Sequence, residues 1–329
     1  MKLLVTGGCG FIGSNFIETC FKNKKNLKIV NVDALLTGSN KRNLEKIKNF
    51  DYRFVKGNIC NKKLMEKLIS NTDCIVNFAA ESHVDRSIKN SSNFVKSNII
   101  GINTILNILK TNKKTRLIQV STDEVYGEIL KGSCSEHDEL NPSNPYSATK
   151  ASAEMMIKSY VRTFGINAVI IRCTNNYGPK QFPEKLIPKI IICALKNIPI
   201  PIHGTGNSKR QWIHVQDHCD AIFKILNTKN KSLVYNINGN FEASNIAVAK
   251  KILHIMKKSE NLISYVEDRP GQDRRYAVNG NLIKKEYGFK PKIGFEKGIQ
   301  ETIEWYLKNQ TWWKKLAFKR IKNPTPWIK

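Results

Sequence analysis

The chain has 329 residues, of which 41% are hydrophobic and 25% are charged, and this suits one large α/β unit or two packed lobes with a sizeable core. The 54 basic and 27 acidic residues give a formal net charge of +27. The lysines are scattered and no zinc-finger, RNA-recognition or basic-zipper pattern accompanies them, so a lysine-rich surface is favoured over nucleic-acid binding. Because the sequence has neither a signal-peptide pattern nor a long uncharged apolar run, we expect a cytoplasmic protein without a membrane segment.

Strands and helices alternate through the first half of the chain. The patterns predict strands at 2–6, 27–32, 52–55, 74–78, 116–120 and 168–172, and helices notably at 11–21, 93–110 and 147–164. Such alternation predicts an α/β fold with a doubly wound, mostly parallel Rossmann-type sheet. Prolines interrupt the rhythm after residue 173. We therefore expect a first domain at 1–173 and a smaller lobe at 174–329, with some elements of the lobe returned to the sheet.

The eight cysteines show no Cys-x-x-Cys pair and no spacing typical of a metal site. We expect no bound metal and interpret the cysteines as reduced residues, most of them in the core. Cys9 lies inside a glycine-rich loop and is expected to be the cysteine most accessible to oxidants.

The first strand is followed by the sequence Gly7-Gly8-Cys9-Gly10-Phe11-Ile12-Gly13, which opens a helix. This pattern is typical of a dinucleotide-binding loop, where glycines allow a tight turn, close approach to a pyrophosphate and close packing of helix on strand. Asp33 ends the next strand, where its carboxylate can accept both hydroxyls of an adenosine ribose and would repel a 2′-phosphate. The pattern therefore favours NAD over NADP. The alternative, a plain glycine turn with a helix-capping Asp, is weaker.

A Tyr-x-x-x-Lys pair, Tyr146 and Lys150, lies on one face of a predicted helix. The lysine ammonium is expected to favour the phenolate, so that the tyrosine can act as a base during hydride transfer, and the lysine can also hold the nicotinamide ribose.

Upstream, Thr122 is followed by two adjacent acids, Asp123 and Glu124. Oxidation alone would not need these acids, so they indicate a second proton transfer in the same pocket. The alternative is that they are surface acids at the start of a loop.

Together these segments resemble the extended short-chain dehydrogenase/reductase superfamily and, within it, the nucleotide-sugar 4,6-dehydratases that use dTDP-glucose or UDP-glucose. The most specific segments are 79–87, 121–127, 144–150, 175–188 and 268–276. The resemblance implies a lyase that gives an NDP-4-keto-6-deoxyglucose and regenerates NAD in each turnover.

The resemblance also implies the catalytic roles. Tyr146, helped by Thr122 and Lys150, would take the proton of the glucose 4-hydroxyl as hydride passes from C4 to NAD. Glu124 would then remove the C5 proton while Asp123 protonates the departing 6-hydroxyl. Hydride would return to C6 as Glu124 reprotonates C5.

Binding residues follow from the same resemblance. The implied cofactor-binding residues are Gly7, Gly10, Phe11, Ile12, Gly13, Asp33, Asn58, Ile59, Ala79, Ala80, Ser82, Ser97, Tyr146, Lys150 and Asn176. The implied substrate-binding residues are Ser82, Thr122, Asn175, Lys185, Leu186, Pro201, His203, Arg210, Asn245, Arg269 and Gln272.

Three residues depart from the pattern of the dTDP-glucose enzymes. His203 stands where that group usually has a tyrosine stacked on thymine, Gln272 replaces a histidine, and Asn58 replaces an aspartate beside adenine. The sequence around His203 resembles relatives that use UDP-glucose. The nucleobase is therefore open, with UDP-glucose slightly favoured over dTDP-glucose.

Two other functions compete with dehydration. An NAD-dependent nucleotide-sugar epimerase could share the fold, although epimerases usually carry small or neutral residues where Asp123 and Glu124 stand. A non-catalytic NAD- or nucleic-acid-binding scaffold is suggested only by the net charge.

The resemblance further implies a homodimer formed through the helices at 93–110 and 147–164, but the same apolar surface could simply pack on the sheet.

Overall fold

The structure is a computed structural model that describes residues 1–23, 26–47, 51–321 and 325–327. The strands are β1 (Lys2–Thr6), β2 (Lys28–Asp33), β3 (Tyr52–Lys56), β4 (Cys74–Asn77), β5 (Arg116–Thr122), β6 (Ala168–Cys173), β7 (Asn175–Tyr177), β8 (Ile200–His203), β9 (Lys209–His214), β10 (Val234–Ile237), β11 (Phe241–Ser244) and β12 (Ile263–Val266). The α-helices are α1 (Phe11–Asn23), α2 (Lys62–Ile69), α3 (Val84–Lys89), α4 (Ser92–Phe94), α5 (Gly101–Leu109), α6 (Pro145–Phe164), α7 (Leu186–Lys196), α8 (Val215–Leu226), α9 (Asn245–Ile255), α10 (Asn281–Tyr287), α11 (Phe295–Lys308) and α12 (Gln310–Ile321). Short 3₁₀ segments lie at Lys41–Leu44, Asp123–Tyr126 and Glu260–Leu262, and a π-helical segment at Val95–Ile100 precedes α5.

A seven-stranded parallel sheet forms the centre of the molecule, in the order β10-β6-β5-β4-β1-β2-β3. Strands β4 and β6 are buried along their whole length, as expected when helices cover both faces of a parallel sheet. The predicted doubly wound Rossmann-type sheet is confirmed. The strand order reverses between β1 and β4, and ligands of such sheets bind beyond the carboxyl ends of the strands at that point.

The helices predicted at 93–110 and 147–164 are present with altered boundaries. The first is divided, since the π-helical turn precedes α5. The second, α6, begins at Pro145 because Asn144 and Ser147 form a reciprocal capping box ahead of it. This cap fixes the first turn of α6, which carries Tyr146.

The second half of the chain contributes to more than one layer. Strand β10 pairs with β6 and so joins the central sheet, whereas β7, β9 and β11 form a three-stranded sheet and β8 pairs with β12. A separate apolar core, which includes Ile190, Tyr306 and Trp313, holds this half together. The observed return of β10 agrees with the expected interleaving, and the division at residue 173 stays a prediction.

The two helices predicted to form a dimer are partly used inside the chain. Ile102, Ile105 and Ile108 of α5 are buried in the core beside the sheet. Ile100 and, on α6, Met155 are exposed. The homodimer therefore stays a prediction, with a smaller apolar surface than the sequence suggested.

Seven of the eight cysteines are buried and Cys60 is partly exposed. Cys9 is 0% exposed, and burial raises the pKa of its thiol to about 12. The expectation that Cys9 is accessible to oxidants is wrong, because the loop folds its side chain into the core beside Asn31.

Within the described ranges no helix has the length and apolar character needed to cross a bilayer.

Candidate active site

A pocket lies beyond the carboxyl ends of the central strands. It is lined by the loop after β1, the acids after β5, the start of α6 and the segment from Cys173 to Ile187. All fifteen residues predicted to bind the cofactor line this pocket, and so do all five predicted catalytic residues. The fold therefore brings together groups that are far apart in the sequence.

The glycine loop forms one end of the pocket. Gly7 has a φ of +67°, and a Cβ there would lie 2.7 Å from the Ala79 backbone nitrogen. A Cβ on Gly13 would lie 2.6 Å from the carbonyl oxygen of Gly7. Only glycine fits these positions, which leave the backbone at the start of α1 open for a phosphate group.

Asp33 is held in a fixed orientation at the same end. Its carboxylate accepts hydrogen bonds from the backbone nitrogens of Cys9 (2.9 Å) and Leu35 (2.7 Å) and from the Ser39 hydroxyl. Asn58 also lines this end, and its side chain accepts a bond from the Cys60 nitrogen at 2.9 Å. The arrangement suits recognition of an adenosine ribose beside the glycine loop.

The acids after β5 lie beside the start of α6. Thr122 caps the 3₁₀ turn that carries both acids, accepting a hydrogen bond from the Glu124 backbone nitrogen at 3.3 Å. The Asn144 side chain, which caps α6, donates to Glu124 at 3.4 Å. Two caps thus set the position of the acids relative to Tyr146.

Asp123 is a buried carboxyl group with an unusual pKa. It is 2% exposed, and burial together with the nearby Glu124 charge raises its pKa to about 7. Thr122 donates to one carboxyl oxygen at 3.2 Å, whereas the other has no hydrogen-bond partner among the described residues. Near neutral pH this group can hold a proton and donate it.

Tyr146 and Lys150 do not interact as the sequence suggested. Burial raises the pKa of Tyr146 well above its ordinary value, the acids Glu124 and Asp123 raise it further, and a hydrogen bond with Thr122 opposes them. Lys150 instead donates to the Val120 carbonyl oxygen at 2.7 Å, and burial lowers its pKa to about 8. The expected lowering of the tyrosine pKa is therefore wrong for the chain alone, because burial and the charges of Glu124 and Asp123 raise it.

The predicted substrate residues fall into two groups. Ser82, Thr122, Asn175, Lys185 and Leu186 line the pocket, and the Lys185 ammonium donates to the Ser82 carbonyl oxygen at 2.7 Å. The other six predicted residues do not line it; these are Pro201, His203, Arg210, Asn245, Arg269 and Gln272.

Those six residues lie mostly around the turn between β8 and β9. Asn245 and Gln272 both hydrogen-bond to Ser208, through its carbonyl oxygen and its hydroxyl respectively, at 3.0 Å each. Arg210 donates to the Asp273 carbonyl oxygen at 3.0 Å and lies over the Tyr276 ring. Burial lowers the pKa of Arg210, and the charges of Tyr276, Glu124 and Asp123 oppose this lowering, so the guanidinium is within electrostatic range of the two acids.

Two of these six residues, Arg210 and Arg269, are cations that differ in their bonding partners. The Arg269 guanidinium pairs with Asp85 at 2.9 Å. Arg210 forms no ion pair within the described ranges of the chain, and its hydrogen bonds go to carbonyl oxygens. Arg210 is therefore the cation better placed to accept a new anionic partner.

Sequence reasoning missed several residues of the pocket. Glu81, Arg86 and Glu184 line it, with Arg86 bridging the two acids at 3.2 and 3.1 Å; all three lie inside the family-like segments and could have been named. Trp212 and His218 also line it, but no local pattern marked them. His203 contacts Trp327 edge to face at 5.2 Å between ring centroids, which the sequence could not indicate because 124 positions separate the two residues.

Known proteins share this architecture over nearly the whole chain. A dTDP-glucose 4,6-dehydratase from Streptomyces niveus is 40% identical over 321 residues, covering 96% of each chain. The crystal structure of a dTDP-glucose 4,6-dehydratase from Bacillus anthracis in complex with NAD superposes with a TM-score of 0.90 and 44% identity, covering 96% of this chain and 99% of that one. A UDP-glucuronic acid 4-epimerase from Bacillus cereus has a TM-score of 0.89 with only 27% identity, covering 94% and 99%.

The match to a family description is equally extensive. Residues 4–302 match the family described as GDP-mannose 4,6 dehydratase. This span includes the glycine loop, the acids after β5 and the Tyr-x-x-x-Lys pair. The chain therefore belongs to the GDP-mannose 4,6-dehydratase family, within the short-chain dehydrogenase/reductase superfamily, as the resemblance predicted.

Proposed function

We propose that this protein is an NAD-dependent nucleotide-sugar 4,6-dehydratase, a hydro-lyase that converts dTDP-glucose to dTDP-4-keto-6-deoxyglucose. The observation that carries the proposal is the position of Asp123 and Glu124, two adjacent acids inside the pocket that also holds Tyr146 and Lys150. A 4-epimerase needs only the hydride-transfer pair, Tyr146 and Lys150. Higher identity to the dehydratases than to the epimerase supports the same choice.

The relatives also bear on the nucleobase. The similar proteins from Streptomyces niveus and Bacillus anthracis are described as dTDP-glucose 4,6-dehydratases, which favours thymidine over the uridine suggested by the sequence around His203. We therefore take dTDP-glucose as the main substrate and UDP-glucose as the competitor.

The residues at the glycine-loop end fit NAD. Gly7 and Gly13 leave room where a side chain would collide with backbone, the start of α1 faces the pocket, and Asp33 presents a fixed carboxylate. NAD supplies a reversible acceptor and donor of hydride when it is bound. The same site would hold it through the whole cycle, so that no net NADH accumulates.

The protein's own groups move the protons. Tyr146, which lines the pocket together with Thr122, takes the proton of the sugar 4-hydroxyl as its phenolate, a form that the positive charge of bound NAD would favour against the burial of the tyrosine. The resulting 4-ketone acidifies the C5 proton, which Glu124 removes. Asp123 donates its proton to the 6-hydroxyl, which leaves as water, and Glu124 later returns a proton to C5.

Two cations are proposed to bind the diphosphate. Lys185 extends into the pocket from the N-cap of α7, and Arg210 is held by carbonyl oxygens beside the acids. A diphosphate between them would replace weak carbonyl contacts with charge-assisted hydrogen bonds. Binding of the nucleotide would thus place the glucose ring against the acids.

The test of this function is turnover of the full chain with dTDP-glucose and, separately, with UDP-glucose. We expect a 4-keto-6-deoxyglucose nucleotide from dTDP-glucose, faster than from UDP-glucose, with no steady accumulation of free NADH. Product identity is read by mass spectrometry and proton NMR. A 4-epimer, or no product from either nucleotide, would contradict the proposal.

A second expected result concerns Asp33. Replacing it with asparagine is expected to weaken NAD binding by about 10- to 100-fold, because charged hydrogen bonds to the ribose become neutral ones. The preference for NAD over NADP should fall at the same time, since the carboxylate no longer repels a 2′-phosphate. Titration of cofactor-free protein with each dinucleotide measures both effects. Asp73→Asn, at the amino end of β4, is the matched control, and equal NAD affinity in both variants would refute the role given to Asp33.

A further inference from the structure

A buried ion pair lies directly behind the acids of the pocket. Glu154 and Arg172 are each 0% exposed, and the guanidinium contacts the carboxylate through Nε at 2.9 Å and Nη2 at 2.6 Å. Glu154 stands on α6 one turn beyond Lys150 and two turns beyond Tyr146, whereas Arg172 stands on β6. The pair therefore links the helix of the Tyr-x-x-x-Lys motif to the central sheet.

The same pair holds both ends of the segment that carries the acids, residues 121–126, here called the acid segment. Ser121 donates its hydroxyl hydrogen to Glu154 at 2.5 Å. Arg172 donates from Nη1 to the Tyr126 hydroxyl oxygen at 2.5 Å and pairs with Ser121 in the sheet register. Asp123 and Glu124 lie between these two points of attachment.

The attachment at Tyr126 extends to further elements. Its hydroxyl lies 2.9 Å from the Asn236 side-chain oxygen and 2.8 Å from the Ser135 carbonyl oxygen. Arg172 also donates to the Glu136 carbonyl oxygen at 3.3 Å. The loop that follows the acid segment and strand β10 are thereby fixed to the same guanidinium.

Stability alone does not account for this arrangement. Burying two charges is costly, and well-packed apolar side chains of similar size are often as stabilising as a buried ion pair. What apolar residues could not provide is directed hydrogen bonds to Ser121 and Tyr126. The geometry thus favours a role in placing the acid segment.

We propose that Glu154 and Arg172 are positioning residues for the dehydration, which clamp the acid segment at Ser121 and Tyr126 and fix its acids against Tyr146. The inference rests on the function proposed above. Neither residue lines the pocket, so they act through the groups that they hold. A displacement of about 1 Å in a reacting group can slow a reaction by on the order of 100-fold.

The clamp has a separate electrostatic consequence for Lys150. Burial lowers the pKa of Lys150 to about 8, and the Glu154 charge opposes this effect. Among the described residues, Glu154 also faces the charged groups of Arg172 from β6 and Lys158 from α6 and the titratable hydroxyl of Tyr126 in the acid segment. On the β5 side Lys150 meets the uncharged Val120 carbonyl group. Loss of the Glu154 charge would lower the pKa of Lys150 further, so that its ammonium form is lost at a lower pH.

Glu154→Gln is the first variant of the test. We expect kcat with dTDP-glucose to fall by on the order of 100-fold with little change in KM. We also expect the alkaline limb of the plot of kcat against pH to move to lower pH. Tyr126→Phe removes one hydroxyl only and is expected to lower kcat about tenfold. Because it leaves the Glu154 charge in place, its alkaline limb should match that of the wild type.

A double variant separates positioning from stability. Glu154→Leu with Arg172→Met removes both members of the ion pair together, so it should fold and bind NAD, yet remain slow because Ser121 and Tyr126 are released. Glu296→Gln, at an exposed ion pair with Lys251, is the matched control and should behave as the wild type. Wild-type kcat in Tyr126→Phe, together with wild-type kcat and an unshifted pH profile in the folded double variant, would overturn the proposed positioning role. Absence of product with the unmodified chain would instead refute the proposed function.

Discussion

Replacement of Asp123 by asparagine is expected to slow formation of the 6-deoxy product by about 10²- to 10⁴-fold, while exchange of the sugar C5 proton with solvent continues. The asparagine side chain keeps the size of the carboxyl group but cannot donate a proton to a departing hydroxyl. Burial and Glu124 raise the pKa of Asp123 to about 7, so the native group carries a transferable proton near neutral pH. Rapid-quench analysis in deuterated water separates exchange from elimination.

The same experiment on Glu124→Gln should give the opposite pattern. This variant is expected to keep NAD bound and to form the 4-ketone, but to show neither C5 exchange nor product, because no base removes the C5 proton. If both variants exchange C5 at equal rates, the division of roles between the two acids is wrong. Glu128→Gln is the control, since Glu128 lies on the following loop, outside the pocket, and pairs with Arg274.

A dependence on pH accompanies the role of Asp123. A general acid acts in its protonated form, and the raised pKa keeps Asp123 protonated below about pH 7. The single-turnover rate of elimination should therefore fall as the pH rises through 7 in the wild type. The residual elimination of the Asp123→Asn variant should lack this decline, and a wild-type rate that rises over the same range would contradict the assignment.

The parts of the site that could be predicted from the sequence are those built from contiguous residues. The glycine loop, the acids after β5 and the Tyr-x-x-x-Lys pair each depend on local geometry, such as a strand followed by a tight turn or two side chains on one helix face. Their approach to one another follows from the parallel sheet, because the carboxyl ends of its strands meet at one edge. This explains why the fold and the residues at the glycine-loop end of the pocket were predictable.

Other features depend on distances that no local pattern encodes. The pairing of Glu154 with Arg172 requires α6 to lie on β6, and the contact of His203 with Trp327 requires the end of the chain to return to β8. The pKa of Tyr146 was predicted in the wrong direction because the Tyr-x-x-x-Lys spacing gives the neighbouring charge but not the burial. Desolvation is a property of the folded surroundings.

Replacement of Tyr146 by phenylalanine is expected to lower kcat by about 10²- to 10⁴-fold and to abolish C5 exchange together with product formation. Every later step needs the 4-ketone, which does not form unless the proton of the 4-hydroxyl is removed. This outcome differs from Asp123→Asn, in which exchange survives. Cofactor affinity should change little, because the ring still packs edge to face on Phe94.

Tyr160→Phe provides the matched control for this variant. Tyr160 lies on the same helix, and its hydroxyl donates to the Asn107 side chain at 2.9 Å, away from the pocket. Its loss should leave kcat and C5 exchange at wild-type values. If Tyr146→Phe retained C5 exchange, oxidation at C4 would have to proceed through another base, and the hydrogen-bonded pair of Thr122 and Tyr146 would lose its assigned place in the reaction.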